Sequence, residues 1–384
     1  MSKPFKILQL HPDYNIKRHD FADLSEQIVK ALPAERYQVT QAFLRGRPGA
    51  GEPESRAARS VYFDMSETAL KGVRRLGALW RLYRFCKAEG FDAVICNRFK
   101  PVNMMMQLNR WLKIPLCIGI VHGFGEYDRA YRRRQAHKSI DRHWRFIGVS
   151  PAVREYLLGL GCGFTPGNTV AITNAIDIDQ ARGLQLERQA ARSALGLRQD
   201  ARMIGALGRL VPVKGHTFLL QAFARLMDRY PNVELAIIGA GREEANLRRQ
   251  IGDLGLAGRA HLLGFQADAL QYVRAFDVWT MPSLAEGLGL ALLEGMSGEL
   301  PVIASNVPAM LPLIKGAGGI AVAPGDIDSL AEALDTYLAM PDEQLREKGS
   351  ETFAYLCQHH AIEPFRQAYL EFIENSLAME CTRG

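Results

Sequence analysis

Two glutamates eight residues apart enclose a glycine-rich stretch, EGLGLALLE, at residues 286–294. Glycine weakens a helix, yet Gly287 and Gly289 occur where the apolar spacing predicts its first turn. Such a bare backbone lets phosphate oxygens approach the free N–H groups of a helix start. Carboxylates suit ligand hydroxyls, and a charged Glu294 among leucines is poor core filler. The stretch therefore predicts a site for a ligand with phosphates and sugar hydroxyls, with Glu286 before the helix and Glu294 roughly two turns in.

A pair of cations marks a second candidate site, in the segment RLVPVKGH. Arg209 and Lys214 flank a short loop between a strand-like run and the next helical pattern. Two cations at a helix start suit a diphosphate, because the free N–H groups and the helix dipole add to their charge. The alternative is an ordinary loop with two surface cations. Further along, Gly239 and Gly241 predict a tight turn, and together with Phe265 they are weaker candidates for holding a nucleobase.

Short strand-like runs alternate with helical patterns along the chain, which predicts parallel sheets covered by helices. Because 384 residues exceed one ordinary core, we expect two Rossmann-like doubly wound α/β domains, over residues 1–175 and 176–359. Ligands of such sheets bind beyond the carboxyl ends of the strands, where the candidate residues fall. We place the strands at residues 5–10, 92–96, 116–121, 146–149, 203–208, 233–239, 260–264, 277–283 and 301–305.

Charge is distributed unevenly between the two halves. The net charge is +6, but residues 1–175 hold 28 Lys and Arg against 15 acids, whereas residues 176–384 hold 19 against 26. The first half is therefore suited to anionic partners. Two stretches carry much of this excess, with six basic residues and no acid at 71–87 and seven with one aspartate at 129–145. Because no nucleic-acid-binding signature accompanies them, we expect no nucleic-acid partner.

The basic stretch at 71–87 also contains apolar residues among its arginines, including Leu76, Trp80 and Tyr83. This pattern suits a cationic helix that lies on an anionic membrane surface. It suits equally a helix that packs on the core and exposes a solvated basic face. Both interpretations remain open from the sequence.

Composition is that of a globular protein, with 48% hydrophobic and 23% charged residues. No apolar run approaches the roughly 18 to 20 residues that cross a bilayer, and the start of the chain lacks the apolar core of a signal peptide. We therefore expect a cytoplasmic protein. Its six cysteines are scattered without a CxxC, which predicts reduced packing residues rather than a zinc site or disulfides.

Several motifs together resemble the GT-B glycosyltransferases of family GT4, retaining enzymes that use nucleotide sugars. The resemblance lies in RLVPVKG, EGLGLALLE and PVIASNVPAM, supported by GVSPAVREYLLGLG, TNAID and PGDIDSLAEAL, within about residues 120–340. One departure is the first loop, LHPDYNIKRHD, where family members commonly carry a glycine pair. The resemblance implies two Rossmann-like domains facing a cleft, with an amphipathic helix at about 360–384 that crosses back to the first domain.

The resemblance also assigns roles. Arg209 and Lys214 would hold the donor diphosphate, Glu286 the hydroxyls of the donor sugar and Glu294 the ribose. His122, in VHGFGE, matches a histidine that many family members place beside the reacting sugar. The catalytic set is thus His122, Arg209, Lys214 and Glu286. The donor-binding residues expected on this basis are Gly239, Gly241, Phe265, Gly287, Leu288, Gly289, Leu290 and Glu294.

Retention of configuration is implied by the resemblance alone. No residue is an obvious covalent nucleophile, so we expect a front-face route through a short-lived oxocarbenium-like ion pair, with the diphosphate charge stabilised by protein cations. Those cations make a metal unnecessary, and we expect no cofactor beyond the nucleotide sugar. The DID triplets at Asp177 and Asp326 imitate a metal-binding motif, but the first lies in the interdomain segment and the second resembles a helix cap.

We expect the donor to be a UDP-hexose or UDP-N-acetylhexosamine, and the resemblance implies a lipid-linked or lipopolysaccharide-core saccharide as acceptor. Such an acceptor implies a peripheral position on the cytoplasmic face of the inner membrane. Two alternatives remain open, a nucleotide-sugar epimerase of the same architecture and a UDP-binding module without transferase activity. The candidate contacts to the acceptor or membrane are Lys17, Arg18, Arg98, Lys100, Arg132, Arg133 and Arg134.

Overall fold

The computed structural model describes residues 3–381. The chain folds into two α/β units. The first comprises the chain up to Asn174 and from Glu363 onward, and the second is Ala175–Ile362. Each unit is built around one parallel sheet, as the alternation of strand-like and helical patterns predicts.

Seven strands form the sheet of the first unit: β1 (Phe5–Asp13), β2 (Tyr37–Arg45), β3 (Arg59–Tyr62), β4 (Ala93–Asn97), β5 (Leu116–Val121), β6 (Trp144–Gly148) and β7 (Thr169–Ala171). They lie in the order β3-β2-β1-β4-β5-β6-β7, and all neighbours are parallel. The helices between them are α1 (Leu24–Ala31), α2 (Arg75–Glu89), α3 (Phe99–Leu112), α4 (Ala130–Ser139) and α5 (Pro151–Gly159).

Six parallel strands form the sheet of the second unit: β8 (Arg202–Leu207), β9 (Val233–Ile238), β10 (Ala260–Leu262), β11 (Val278–Met281), β12 (Val302–Ser305) and β13 (Ile320–Val322). Their order is β10-β9-β8-β11-β12-β13. The accompanying helices are α6 (Ile178–Leu184), α7 (Arg188–Leu195), α8 (His216–Ala224), α9 (Glu244–Asp253), α10 (Leu290–Ser297), α11 (Leu311–Gly316), α12 (Ile327–Leu338) and α13 (Asp342–His359).

The strand order determines where ligands can enter each unit. In both sheets the chain builds outward from a central strand, then returns to that strand's other side, so the order reverses between β1 and β4 and between β8 and β11. Helices that follow adjacent strands diverge at such a point and leave a crevice beyond the carboxyl ends. The segment after β8 and the EGLGLALLE stretch after β11 therefore share one crevice edge.

Burial explains why helices cover both faces of these sheets. The side chains of β4, β5, β6, β9, β11 and β12 are buried along their whole length, as expected of central parallel strands. The core of the second unit gathers residues from its strands with Leu219, Phe223 and Leu334 of the covering helices. No helix among residues 3–381 is long and apolar enough to cross a membrane.

The last helix, α14 (Ile362–Cys381), packs on the first unit. Its buried side chains include Phe365, Tyr369, Ile373 and Leu377, which follow one another at intervals of four residues along one face. Two ion pairs join its second half to the first unit: Arg36 Nη1 lies 2.6 Å from Glu374 Oε1, and Arg145 Nη2 lies 3.4 Å from Glu380 Oε1.

Candidate functional site

The loop after β8 is held in place by backbone contacts to the segment that follows β11. Gly215 has a φ of +70°, and a Cβ at this position would overlap the carbonyl oxygen of Pro282. Leu284 N donates to Val213 O at 2.8 Å. The two segments are therefore tied together at the crevice edge, and only glycine fits the closest approach.

This tie brings Lys214 and Glu286 into an ion pair. Lys214 Nζ lies 2.5 Å from Glu286 Oε1, although the two residues are 72 positions apart in sequence. The two side chains are 18% and 13% exposed, so water screens them only partly. The sequence predicts both residues as ligand contacts but gives no sign of this pairing.

Arg209 lies on the same loop and is exposed. Within the described chain its guanidinium makes no ion pair, so it is available to an anion entering the crevice. Arg209 and Lys214 thus carry positive charge beside the start of α8, where free backbone N–H groups add to it.

His216 is a residue of this loop that sequence reasoning missed. It is the first residue of α8, is only 4% exposed, and neither ring nitrogen makes a well-formed hydrogen bond within the described chain. Burial, and secondarily the charge of Lys214, lowers the pKa of His216 to about 4. A buried, neutral imidazole therefore stands beside Lys214. The sequence signal that could have identified His216 is its position two residues after Lys214, a predicted diphosphate contact.

The glycines after β9 have a packing reason that the sequence does not show. A Cβ on Gly239 would overlap Gly208 O, and a Cβ on Gly241 would overlap Leu210 O. Leu210 N also donates to Ala240 O at 2.9 Å. These glycines let the loops after β8 and β9 touch backbone to backbone, so they shape the crevice wall whether or not a nucleobase contacts them.

The EGLGLALLE stretch differs from the prediction in its register. Helix α10 begins at Leu290, so Glu286 and Gly287 precede it and Gly289 is the capping residue rather than part of the first turn. A Cβ on Gly289 would overlap the Met281 side chain, which explains this glycine by packing. Glu294 is the fifth residue of the helix, little more than one turn in rather than two.

The remaining donor-site candidates fall into two groups. Leu288 and Glu294 are buried and Leu290 is half-buried. Phe265, which follows β10, is 75% exposed. A flat, exposed ring at the end of a strand is a suitable stacking surface for a base.

In the first unit, His122 follows β5 directly. Its backbone N–H donates to Glu126 Oε1 at 2.9 Å, and its Nε2 lies 3.3 Å from Asn97 Oδ1 at the end of β4. Burial, and secondarily the charge of Arg98, lowers the pKa of His122 to about 4. His122 is therefore a neutral histidine at the carboxyl edge of the sheet, where the sequence places it.

A cavity of about 550 Å³ opens at this edge. It brings together His122 and three of the predicted acceptor contacts, Arg98, Lys100 and Arg132, and adds Arg75, which the sequence analysis did not single out. The other predicted contacts do not line it: Lys17, Arg18, Arg133 and Arg134 are exposed elsewhere on the first unit.

Both DID triplets are helix caps. Asp177 accepts from Gln180 N at the start of α6, and Asp326 accepts from Asp328 N and Ser329 N at the start of α12. Within residues 3–381, no three His, Cys, Asp or Glu side chains stand together as metal ligands would. Independence from metal remains a prediction.

Two family models match the chain. The Glycosyl transferase 4-like domain matches residues 24–175, and the Glycosyl transferases group 1 family matches residues 187–352. The two matches correspond to the two parallel-sheet units. The chain therefore belongs to the group 1 glycosyltransferases, family GT4, and has the GT-B fold.

Individual relatives agree with this assignment. The lipopolysaccharide core biosynthesis glycosyltransferase LpsE of Rhizobium meliloti (strain 1021) is 33% identical over 187 residues, 47% of this chain and 52% of LpsE. The UDP-Gal:alpha-D-GlcNAc-diphosphoundecaprenol alpha-1,3-galactosyltransferase of Escherichia coli is 25% identical over 283 residues, 68% of this chain and 70% of the relative. The crystal structure of Anabaena HepE in complex with UDP superposes with a TM-score of 0.77 at 22% identity, covering 97% of this chain and all of HepE.

The comparisons differ in how much of each protein they align. The chain spans about half the length of LpsE and less of several other curated relatives. The HepE structure covers 97% of this chain, and at 22% identity it shows the fold.

Proposed function

We propose that this protein is a retaining glycosyltransferase that moves a sugar from a UDP-sugar to a hydroxyl of a membrane-associated saccharide. The observation that carries the proposal is the arrangement at the crevice edge of the second unit. Lys214, Glu286 and Arg209 stand beside the start of α8 at the point where the strand order reverses. Cations for a diphosphate and a carboxylate for hydroxyls are what a nucleotide sugar requires.

The ion pair between Lys214 and Glu286 suggests how binding of the diphosphate helps to position the donor sugar. Lys214 and Glu286 neutralise one another, so a diphosphate that takes over the Lys214 ammonium would release Glu286 to accept hydrogen bonds from the sugar. Arg209, Lys214 and the N–H groups of α8 would then stabilise the charge that grows on the departing diphosphate. His216 is placed to add one neutral hydrogen bond to the same group.

The relatives support transfer and a UDP donor. The named relatives are transferases, which favours transfer over the epimerase and the inactive binding module. The name of the E. coli relative specifies UDP-galactose and a lipid-linked diphosphate acceptor. HepE has been crystallised with UDP, with UDP and glucose, and with UDP-glucose. We therefore favour UDP over other nucleotides. We also propose that no metal or further cofactor is needed, because Arg209 and Lys214 supply positive charge for the diphosphate.

A membrane-associated acceptor is consistent with the surface of α2. Its buried side is Ala78, Leu82 and Cys86, whereas Leu76 and Trp80 on the other side are 67% and 60% exposed. Exposed cations flank them, and the Arg84 guanidinium lies 4.8 Å from the centre of the Trp80 ring. Large apolar side chains among cations suit the headgroup region of an anionic membrane. We propose that α2 brings the protein to the cytoplasmic face of the membrane that carries its acceptor.

The first experiment combines ligand binding with turnover. Thermal shifts with UDP, GDP, ADP, NAD and several UDP-sugars should show selective stabilisation by UDP and one UDP-sugar. A ligand at 100 times its Kd adds about 2.7 kcal/mol to the free energy of unfolding. Replacing Glu294 with glutamine should reduce this shift while keeping the side-chain volume.

Turnover is then measured as sugar transferred to a lipid-linked saccharide. Lys214→Ala and Arg209→Ala should each lower it by roughly 100-fold or more, the effect of removing one group that stabilises developing charge. Arg249→Ala, an exposed cation on α9, is the matched control. Near-normal turnover in both loop variants, or an altered free sugar with no transfer product, would overturn the proposal.

A further inference from the structure

The cavity of the first unit has more positive than negative charge available to a ligand. Arg75, Arg98, Lys100 and Arg132 line it, against Asp13 and Glu126. Both acids are already engaged: Asp13 pairs with Arg45, and Glu126 Oε1 accepts from His122 N. Its volume of about 550 Å³ lies within the range of roughly 300–1,000 Å³ that small-molecule sites occupy.

Lys100 is the clearest unused cation. Its ammonium makes no hydrogen bond or ion pair with any residue between Lys3 and Cys381, and the side chain is half-buried. Burial, followed by the charge of Arg45, lowers the pKa of Lys100. The surroundings therefore disfavour its charge, and an anion in the cavity would remove that penalty.

Two further cations line the cavity. The Arg132 side chain is fixed, because it donates to Glu126 O at 2.8 Å and lies 4.3 Å from the centre of the Phe99 ring. Arg98 has a φ of +66°, a strained conformation for an arginine that is often found at binding sites. Its backbone N–H donates to Ile120 O at 3.1 Å, which holds the strained residue at the end of β4.

The same wall also offers an acceptor for a hydroxyl group. Glu126 lines the cavity, and its Oε2 is buried without a well-formed hydrogen bond in the described chain. A buried polar atom without a partner is costly, so this oxygen indicates a polar ligand. A sugar hydroxyl can donate a hydrogen bond to it.

We propose that this cavity binds an acidic sugar of the acceptor, with its phosphate or carboxylate held by Arg98, Lys100 and Arg132 and a hydroxyl held by Glu126. The inference rests on the proposed function, because it identifies the saccharide that receives the transferred sugar. It narrows the acceptor from a membrane-associated saccharide to one that carries an anionic group on the sugar bound here.

The test is isothermal titration calorimetry on the full chain saturated with UDP, which occupies the second unit. The probes are glucose 6-phosphate, glucuronate and glucose. At least one acidic sugar should bind tenfold or more tightly than glucose, and the preferred acid distinguishes a phosphate from a carboxylate. Lys100→Ala should weaken that binding at least tenfold, and Lys100→Arg should largely preserve it. Lys138→Ala, which removes an exposed cation of the same unit outside the cavity, should leave it unchanged.

Equal binding of glucose and both acids, or equal losses in the Lys100→Ala and Lys138→Ala variants, would overturn the inference. Loss of acidic-sugar binding in Lys214→Ala with retention in Lys100→Ala would overturn it too, because the probe would then occupy the second unit. The UDP-induced thermal shift separates the two proposals. If UDP shifts the wild type, Lys100→Ala and Lys138→Ala but no acidic sugar binds, the acceptor inference fails and the proposed function stands. If UDP shifts none of these three proteins, the proposed function fails.

Discussion

At the residue scale, the crevice of the second unit depends on contacts that leave no room for a side chain. Gly215, Gly239 and Gly241 each face a carbonyl oxygen that a Cβ would overlap. From the sequence, Gly239 and Gly241 are predicted to form a tight turn near a nucleobase, and Gly215 is not singled out. The structure shows that all three allow close approach of another loop. These contacts matter for function because they fix the loops that carry Lys214 and Glu286.

Gly215→Ala should therefore destabilise the second unit by about 2–4 kcal/mol, since it combines strain at a φ of +70° with overlap of a backbone carbonyl. The matched control is Gly255→Ala, where φ is +68° and no atom lies within 4 Å of the added Cβ. The control substitution should lower the free energy of unfolding by only about 1–2 kcal/mol. Urea denaturation midpoints measure both, and equal costs would show that the contact with Pro282 is unimportant.

At the element scale, the central strands were correctly predicted because each is a short apolar run bounded by turn signals. The strands that were not predicted are those whose pattern is weak. Strand β2 mixes Gln38, Thr40 and Gln41 with its apolar residues, and β3, β7 and β13 are short strands at or near sheet edges. Pairing with neighbours, rather than their own composition, makes these segments extended.

Helix α2 packs one side on the first unit, as the second interpretation of its sequence predicts. Its other side exposes apolar side chains among cations. Binding of that side to a membrane remains a prediction.

If α2 lies on a membrane, Trp80→Ser should reduce binding to vesicles containing anionic lipid at least several-fold, because it removes a large ring from the headgroup region. Trp111→Ser is the matched control, since Trp111 is 63% exposed at the end of α3. Co-sedimentation with anionic and neutral vesicles measures the effect. Equal binding to both vesicle types, or equal losses in the two variants, would contradict a role specific to α2.

At the scale of the whole molecule, buried neutral histidines link stability to pH. Burial lowers the pKa of His216 and His122 to about 4 and that of His11 to about 3; the secondary causes are Lys214, Arg98 and His122, respectively. In the unfolded chain each titrates near 6.5. Between these values the unfolded state binds more protons than the folded state, so stability is fully present above about pH 6.5 and falls as the pH approaches 4.

The free energy of unfolding should therefore decrease steadily from pH 7 to pH 5, with each histidine contributing about 1–2 kcal/mol over that interval. His216→Gln should flatten the decrease, because glutamine does not titrate. The exposed His359 provides the control, and His359→Gln should leave the slope unchanged. Urea denaturation at several pH values measures the slope, and parallel curves for wild type and His216→Gln would contradict a neutral buried imidazole.

The sequence by itself determined the fold class, the central strands of both sheets and the segments at their carboxyl ends, because these follow from local periodicity and turn chemistry. It also located the cations of the RLVPVKGH loop and the two glutamates. Only the tertiary structure decided that Lys214 pairs with Glu286, that Gly289 packs on Met281, and which of seven predicted cations share a cavity. Those facts join residues far apart in sequence, and they depend on how closely backbones approach one another, which no local pattern encodes.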